Sequence, residues 1–276
     1  MKNWKYIQAV HIGTAHSQLE LLCQDKAMSA EVETPEGNTF VAIISDGAGS
    51  ASHSHIGSNI ATQLTMRYII NFLESGDSIV DLAKSVSKST VQDWLWQMQQ
   101  QIIEVANEEG ISKREYACTL TVAVVQSNAS LFFQVGDGSI VFGKESSYEL
   151  AFWPMQHEYA NVTDFVTGNN VLDALRIKLV EGSVDRVAIM SDGLQRLALV
   201  FASKTAYPPF FQAMFQPLQN HPEVGFSQFL SHALCQFLAS PIVCEKTDDD
   251  KSLILGLLDK ATELSDNETI SLEVTP

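Results

Sequence analysis

The sequence predicts a mixed α+β fold in which helices pack outside one or two antiparallel sheets. Three observations favour this class. Short apolar runs rich in β-branched residues recur along the chain. Two long stretches between the first two of these runs show helical periodicity, and another helical stretch lies near the end. With 276 residues and 45% apolar content, the chain can bury one large core.

Six short apolar runs are predicted to be strands because they combine strand length with β-branched residues. They are Phe40–Ile44, Thr119–Val125, Leu131–Val135, Ile140–Phe142, Val187–Met190 and Leu253–Leu258.

Three stretches whose apolar residues recur every three or four positions are predicted to be helices. They are Ile56–Leu73, Ser78–Glu109 and Val224–Leu238, the last of which follows a Pro-rich turn at Tyr207–Phe210. Residues 1–258 are expected to form one domain, and the acidic residues 259–276 are expected to form a C-terminal tail.

The composition restricts the partners and the compartment. A formal net charge of -16 with only 17 basic residues argues against nucleic-acid and membrane-surface partners, because both need clustered Lys and Arg. No run approaches the roughly 18 apolar residues that span a bilayer, and the N-terminus lacks a signal-peptide core. We therefore expect a cytoplasmic protein. The four cysteines form no C-x-x-C pair, which predicts reduced structural thiols.

Three predicted strands end at an aspartate that is followed by glycine. The aspartates are Asp46, Asp137 and Asp192. A strand that ends in Asp and turns on Gly places a carboxylate at the sheet rim, with a backbone carbonyl beside it. A single Asp-Gly pair is more often an ordinary turn. Their repetition predicts that several such rims converge on one site.

Two further acidic groups extend this pattern. Asp249 belongs to the run Thr247–Ser252 before the last predicted strand, and Asp25 follows the stretch Gly13–Cys23. Carboxylates without matching histidines or thiolates select hard cations such as Mg²⁺ or Mn²⁺. A pair of such ions can bridge and activate a water for in-line attack on phosphorus. The pattern therefore predicts hydrolysis of phosphate esters.

These acidic motifs, in their residues and in their order along the chain, resemble those of the type 2C serine/threonine protein phosphatases. This family is the metal-dependent PPM class, and the resemblance is to its bacterial branch. The matching segments are Gly13–His16, Gln24–Asp25, Asp46–Ser50, Val135–Ser139, Ser191–Leu194 and Asp249–Ser252, and they span nearly the whole chain. The resemblance implies a four-layer α-β-β-α sandwich of two antiparallel sheets flanked by helices. It also implies hydrolysis of phosphoserine and phosphothreonine on a phosphoprotein substrate, with a cognate kinase as the opposing enzyme.

The resemblance also implies a role for each matching aspartate. Asp46 would bridge two Mn²⁺ or Mg²⁺ ions, Gly47 would offer its carbonyl to one of them, and Asp192 with Asp249 would complete the other. Asp137 would join Asp192 at a looser third ion. The implied catalytic set comprises Asp25, which orders metal-bound water, together with Asp46, Asp192 and Asp249.

Two positions depart from the family pattern. Glu20 stands where the family usually has a phosphate-binding arginine, and Ala48 stands where animal members have a histidine that acts as general acid. His16 is a candidate substitute for the phosphate contact, and solvent, His16, His53 or His55 could protonate the leaving group. These departures motivate an alternative hypothesis, a phosphatase-like binding or regulatory module with little or no activity. A phosphohydrolase acting on small metabolites is a third hypothesis.

Overall fold

The computed structural model of the chain describes residues 3–35, 37–76, 78–80, 87–154 and 163–259. Within these residues, two sheets stack face to face and helices cover both outer faces. This arrangement confirms the predicted four-layer α-β-β-α sandwich.

Thirteen strands are found in the described residues. In chain order they are β1 Trp4–His11, β2 Lys26–Thr34, β3 Gly37–Ser45, β4 Leu120–Val125, β5 Ala129–Val135, β6 Ser139–Gly143, β7 Glu149–Leu150, β8 Arg176–Glu181, β9 Arg186–Met190, β10 Leu199–Val200, β11 Thr205–Ala206, β12 Gly225–Phe226 and β13 Lys251–Leu258.

The helices of the described residues range from one turn to six. They are α1 Thr14–Gln18, α2 Ser54–Glu74, α3 Ser87–Glu109, α4 Val171–Ala174, α5 Gln195–Ala198, α6 Pro208–Asn220, α7 Gln228–Leu238 and α8 Pro241–Cys244. Two short 3-10 turns, Lys113–Tyr116 and Asp192–Leu194, complete the set. No helix in the described parts of the chain is long and apolar enough to cross a membrane.

The two main sheets differ in strand order. Sheet I has the order β12-β1-β13-β9-β6-β7, and sheet II has the order β2-β3-β4-β5-β8. Neighbouring strands are antiparallel, except for the short parallel contact between β1 and β12. The remaining two strands, β10 and β11, form a separate hairpin.

Strand β3 shows why its sequence is apolar at every central position. Phe40, Ala42 and Ile44 point into the core between the two sheets, whereas Val41 and Ile43 point into the core beneath α2 and α3. Successive side chains of a strand alternate between faces. Because both faces are covered, the strand appears in the sequence as a continuous apolar run and not as an alternating one.

The six predicted strands are all present, with their ends shifted by at most three residues. The predicted helix Ile56–Leu73 lies within α2. The predicted helix Ser78–Glu109 is confirmed over α3, while residues 81–86 lie outside the described residues.

The prediction for Val224–Leu238 was wrong at its start. Gly225 and Phe226 form β12 against β1, and α7 begins at Gln228, where the Ser227 side chain caps it by accepting the N–H of Leu230. The Pro-rich turn at Tyr207–Phe210 is instead the beginning of α6. Proline is well suited to a first helical turn because the N–H that it lacks has no partner there.

The predicted reduced thiols agree with the structure, in which all four cysteines are free. Burial raises the pKa of Cys23 and of Cys118 to about 12, so both stay protonated near neutral pH. Most of the predicted tail lies outside the described residues. Its first residue, Asp259, forms an ion pair with Lys5, with Nζ and Oδ1 3.2 Å apart.

Candidate active site

The five predicted aspartates lie at one end of the sandwich. Asp46 follows β3, Asp137 follows β5 and Asp192 follows β9, whereas Asp25 and Asp249 precede β2 and β13. Their charges interact: Asp46 is influenced by Asp25, Asp192 and Asp249, and Asp192 is also influenced by Asp137. The structure therefore brings together all the aspartates that the sequence singled out.

The residues directly before β4 hold Asp46 in place. The backbone N–H of Asp46 donates to Thr119 Oγ1 (3.0 Å), and the N–H of Thr119 donates to the Asp46 carbonyl (2.7 Å). Ser45 Oγ donates to the Thr119 carbonyl (2.6 Å), and Gly47 forms an isolated bridge with Cys118. These bonds extend the β3–β4 pairing to the end of β3 and fix the direction in which Asp46 projects.

A pair of serines joins the end of β9, next to Asp192, to the start of β13, which contacts Asp25. Ser252 N–H donates to Ser191 Oγ (3.0 Å), and Ser191 N–H donates to the Ser252 carbonyl (3.2 Å). Ser252 Oγ in turn donates to Asp25 Oδ2 (2.7 Å). One residue at the start of β13 thus sets the position of two aspartates from other segments.

Asp250 is a supporting residue of the site that the sequence did not reveal. Its side chain is buried, and its Oδ1 and Oδ2 accept the backbone N–H groups of Gly13 and Gln24, each at 2.6 Å. Nδ1 of His16 lies 3.1 Å from Oδ2, within ion-pair distance although outside hydrogen-bond geometry. The N–H of Asp250 donates to Asp249 Oδ1 (2.8 Å). Asp250 therefore connects the segments that carry Asp249, His16 and Asp25.

Burial and mutual repulsion keep these carboxyl groups from ionising easily. Burial raises the pKa of Asp25 to about 6, although the hydrogen bond from Ser252 opposes the shift. Burial raises the pKa of Asp192 to about 7, and the negative charges of Asp137 and Asp249 add to the shift. The pKa of Asp46 is also raised well above its ordinary value, first by burial and then by Asp25 and Asp192.

The donor atoms are oxygens, the type of ligand that a hard divalent cation prefers. Oδ1 of Asp25 and Oδ1 of Asp192 are buried without a hydrogen-bond partner, so each has an oxygen available. The Gly47 carbonyl accepts from the Gln24 side-chain amide (3.1 Å) when that amide nitrogen faces the loop, and a carbonyl oxygen has a second lone pair. Among the described residues, no group of three or more His, Cys, Asp or Glu side chains could hold a metal ion as the side chains stand. Backbone carbonyls and waters usually complete such shells.

Asp137 sits at the edge of the cluster. Its Oδ2 accepts from Thr163 Oγ1 (2.9 Å), and its carbonyl accepts from Gln195 Nε2 (2.6 Å). The guanidinium of Arg176 donates to the neighbouring Gly136 carbonyl (3.1 Å). The loop that carries Asp137 is therefore held by its own hydrogen bonds, and from this loop Asp137 interacts with Asp192.

Glu20 and the three candidate histidines lie in two segments, one formed by α1 and the residues after it and the other by the start of α2. His16 lies beside Asp250, with its Nε2 turned towards Gly49, where an added Cβ would be 3.8 Å away. Glu20 is exposed and has a left-handed backbone, with φ 55°. His53 and His55 stand at the start of α2 with ring centroids 6.4 Å apart.

The other supporting residues gave only weak signals in the sequence. Thr119, Ser252 and Gln195 are common residue types, and their roles depend on contacts between distant segments. Asp250 could have been noticed as the third of three consecutive aspartates and the one directly before a buried strand, because burying an acid there requires donors.

Comparison with known proteins identifies the family of this chain. The family model described as Protein phosphatase 2C matches residues 12–239. Over 257 residues the chain is 30% identical to serine/threonine-protein phosphatase 3 of Escherichia coli (strain K12), covering 92% of this chain and 98% of that protein.

Solved structures share the fold. PppA, a regulatory component of the T6SS in Pseudomonas aeruginosa, superposes with a TM-score of 0.60 at 14% identity, covering 93% of this chain and 98% of that one. The catalytic domain of the serine/threonine phosphatase PstP, in complex with two manganese ions, gives a TM-score of 0.58 at 15% identity, covering 94% and 99%. The chain therefore belongs to the protein phosphatase 2C family and is an enzyme of the serine/threonine protein phosphatase class.

Proposed function

We propose that the chain hydrolyses phosphoserine and phosphothreonine on proteins with the help of two divalent cations, Mn²⁺ or Mg²⁺. Asp46, the Gly47 carbonyl, Asp192 and Asp249 would hold these ions, and Asp137 would contribute to a looser third. The observation that carries the proposal is the clustering of carboxylates, several of them partly or fully buried, that raise one another's pKa values. Such a cluster is unfavourable without positive charge between its members.

The two cations, when bound, supply charge neutralisation and an activated water for in-line attack on phosphorus. The protein's own residues orient the reactants. Asp25 lies fully buried, with Oδ2 fixed by Ser252 and Oδ1 unpaired, so it can accept a hydrogen bond from a water and hold a proton. Asp249 is exposed to solvent, which puts it on the side that a substrate reaches. His16 is our candidate for the phosphate contact through Nε2.

The comparisons support this proposal in two ways. The Escherichia coli relative is named a serine/threonine-protein phosphatase, and one structural neighbour was solved with two manganese ions. We propose further that the substrate is a phosphoprotein made by a cognate kinase and that the reaction takes place in the cytoplasm.

The test is phosphate release from a phosphothreonine peptide with and without Mn²⁺. We expect activity only with the ion, and we expect Asp192→Asn to lower kcat/KM by at least about hundredfold, because charge stabilisation by a metal contributes several kcal/mol. The control is Asp173→Asn, which changes an exposed aspartate on α4 and should keep full activity.

Each other outcome points to a different function. Mn²⁺ binding without turnover of any phosphate ester would favour the binding-module hypothesis. Hydrolysis of nucleotides or sugar phosphates in preference to phosphopeptides would favour the small-metabolite hypothesis. Turnover that survives chelation of the metal would contradict the proposed chemistry itself.

A further inference from the structure

A pocket of about 460 Å³ lies next to the carboxylate cluster. Three segments line it: the loop 48–51, the 3-10 turn and its end at 113–117, and the segment 165–169. The loop 48–51 directly continues Asp46 and Gly47. Ala48 is two residues from Asp46, so no more than about 7 Å of chain separates the pocket wall from the proposed metal site.

Hydrogen bonds between the segments hold the pocket walls together. Ala48 N–H donates to the Ala117 carbonyl (2.9 Å), and His53 N–H donates to the Glu115 carbonyl (2.8 Å). Gln99 on α3 donates through Nε2 to the carbonyls of Val166 and Gly168, each at 2.7 Å. The segment 165–169 is thus fixed to a long helix, and the pocket exists before any ligand arrives.

The polar groups of the pocket favour an anion. Lys113 Nζ donates to Asn169 Oδ1 (3.2 Å), a neutral partner that leaves its charge uncompensated. The Arg114 guanidinium makes no hydrogen bond or ion pair with any residue that the structure describes. The hydroxyls of Ser50 and Thr167 provide further donors.

Glu115 is the one acidic side chain among the described residues that line the pocket, and it already has partners. Glu115 Oε2 accepts from the N–H and from Oγ of Ser52, each at 2.9 Å. These hydrogen bonds lower the pKa of Glu115, so it remains ionised. Its charge offsets one of the two cations, so the described residues that line the pocket carry a net positive charge.

We propose that this pocket binds an anionic side chain of the phosphoprotein substrate, a carboxylate or a second phosphate, close to the phosphorylated residue that is hydrolysed. Lys113 and Arg114 are the specificity-determining residues. An extended peptide advances about 3.3 Å per residue, and the loop 48–51 lies two to five residues along the chain from Asp46, so the anion sits within about five residues of the reacting phosphate. This inference rests on the proposed phosphatase function.

The experiment compares three phosphothreonine peptides that differ only at these flanking positions: alanine, aspartate or phosphoserine. They are assayed with the full-length chain, with the double variant Lys113→Gln/Arg114→Gln, and with Lys144→Gln, which changes an exposed lysine outside the pocket. We expect the wild type to prefer the acidic peptides. The double variant should lower this preference by about three- to thirtyfold in kcat/KM, as expected for two largely exposed charge pairs.

Two further measurements separate this inference from the proposed function. Hydrolysis of para-nitrophenyl phosphate, which has no flanking residue, should be the same in all three proteins. Binding of the labelled peptides to Asp192→Asn, with and without the pocket substitutions, tests the pocket without turnover.

The outcomes then have distinct meanings. Preference for phosphoserine alone assigns the pocket to a second phosphate, and preference for both acidic peptides assigns it to anions in general. Either result supports the inference, even if no hydrolysis is found and the proposed activity fails. Equal binding and equal turnover of the three peptides, or a preference that the double variant keeps, would overturn it.

Discussion

Asp250 occupies a position that requires a carboxylate and not an amide. Each of its two oxygens accepts a backbone N–H, from Gly13 and from Gln24. An asparagine there would keep one acceptor and turn its NH₂ group towards the other N–H. Two donors would then face each other in a buried site, and one of them would lose its partner.

We therefore expect Asp250→Asn to destabilise the protein by about 1–3 kcal/mol, the usual cost of an unsatisfied buried donor. In a chain of this size that cost lowers the Tm by several degrees, at roughly 2–4 °C per kcal/mol. Thermal unfolding measures the change. Asp248→Asn, which alters the exposed neighbour, serves as the control. Equal melting temperatures for the two variants would show that Asp250 does not link these segments.

At the scale of secondary-structure elements, the connection between β1 and α1 packs tightly against the loop before β13. Ala15 N–H donates to the Asp248 carbonyl (3.0 Å). A Cβ at Gly13 would overlap the Asp248 carbonyl oxygen and lie 2.7 Å from that of Asp249. Backbone atoms at that distance cannot move aside as a flexible side chain can, so only glycine fits.

Gly13→Ala should consequently displace the loop that carries Asp249 and weaken metal binding. We expect at least about a tenfold loss of Mn²⁺ affinity by calorimetry, similar to the loss when a residue that orients a metal ligand is changed. Gly49→Ala adds the same methyl group in the facing loop, where the nearest atom is His16 Nε2 at 3.8 Å. If both variants bound Mn²⁺ like the wild type, the close approach at Gly13 would not position Asp249.

The strands that the sequence could predict are those whose two faces are both packed against other elements. β3 and β13 appear as continuous apolar runs because helices pack on one side and the other sheet on the other. β2 was missed because most of it is only partly buried and Glu, Ser and Thr interrupt its sequence. α6 was missed because its prolines resemble a turn, although two of them fill its first turn.

The site likewise contains residues that the sequence could predict and contacts that it could not. The aspartates could be predicted because each lies next to a strand end in the sequence. The Asp250 contacts and the pocket of Lys113 and Arg114 could not, because segments far apart in the chain create them. Burial of an acid and the cost it carries are properties of the folded molecule.

At the scale of the whole molecule, the carboxylate cluster couples stability to pH. The pKa values of Asp25 and Asp192, about 6 and about 7, exceed the ordinary value of 3.8, so the folded protein binds protons more tightly than the unfolded chain. The stability that this provides is fully present below about pH 4 and is lost as the pH rises through about 6 to 7. The metal-free protein therefore carries its full electrostatic cost above about pH 7.

A divalent cation should remove this cost, and it should do so more effectively when no proton competes for the carboxylates. We expect saturating Mn²⁺ to raise the Tm more at about pH 8 than at about pH 5.5, where Asp192 and much of Asp25 are protonated. At a hundred times its Kd, a ligand stabilises the folded state by about 2.7 kcal/mol, which corresponds to roughly 5–10 °C here. Thermal unfolding at both pH values measures the effect, and Asp192→Asn should shrink the shift at the higher pH. A shift of equal size at both pH values would mean that Mn²⁺ binds somewhere other than this cluster.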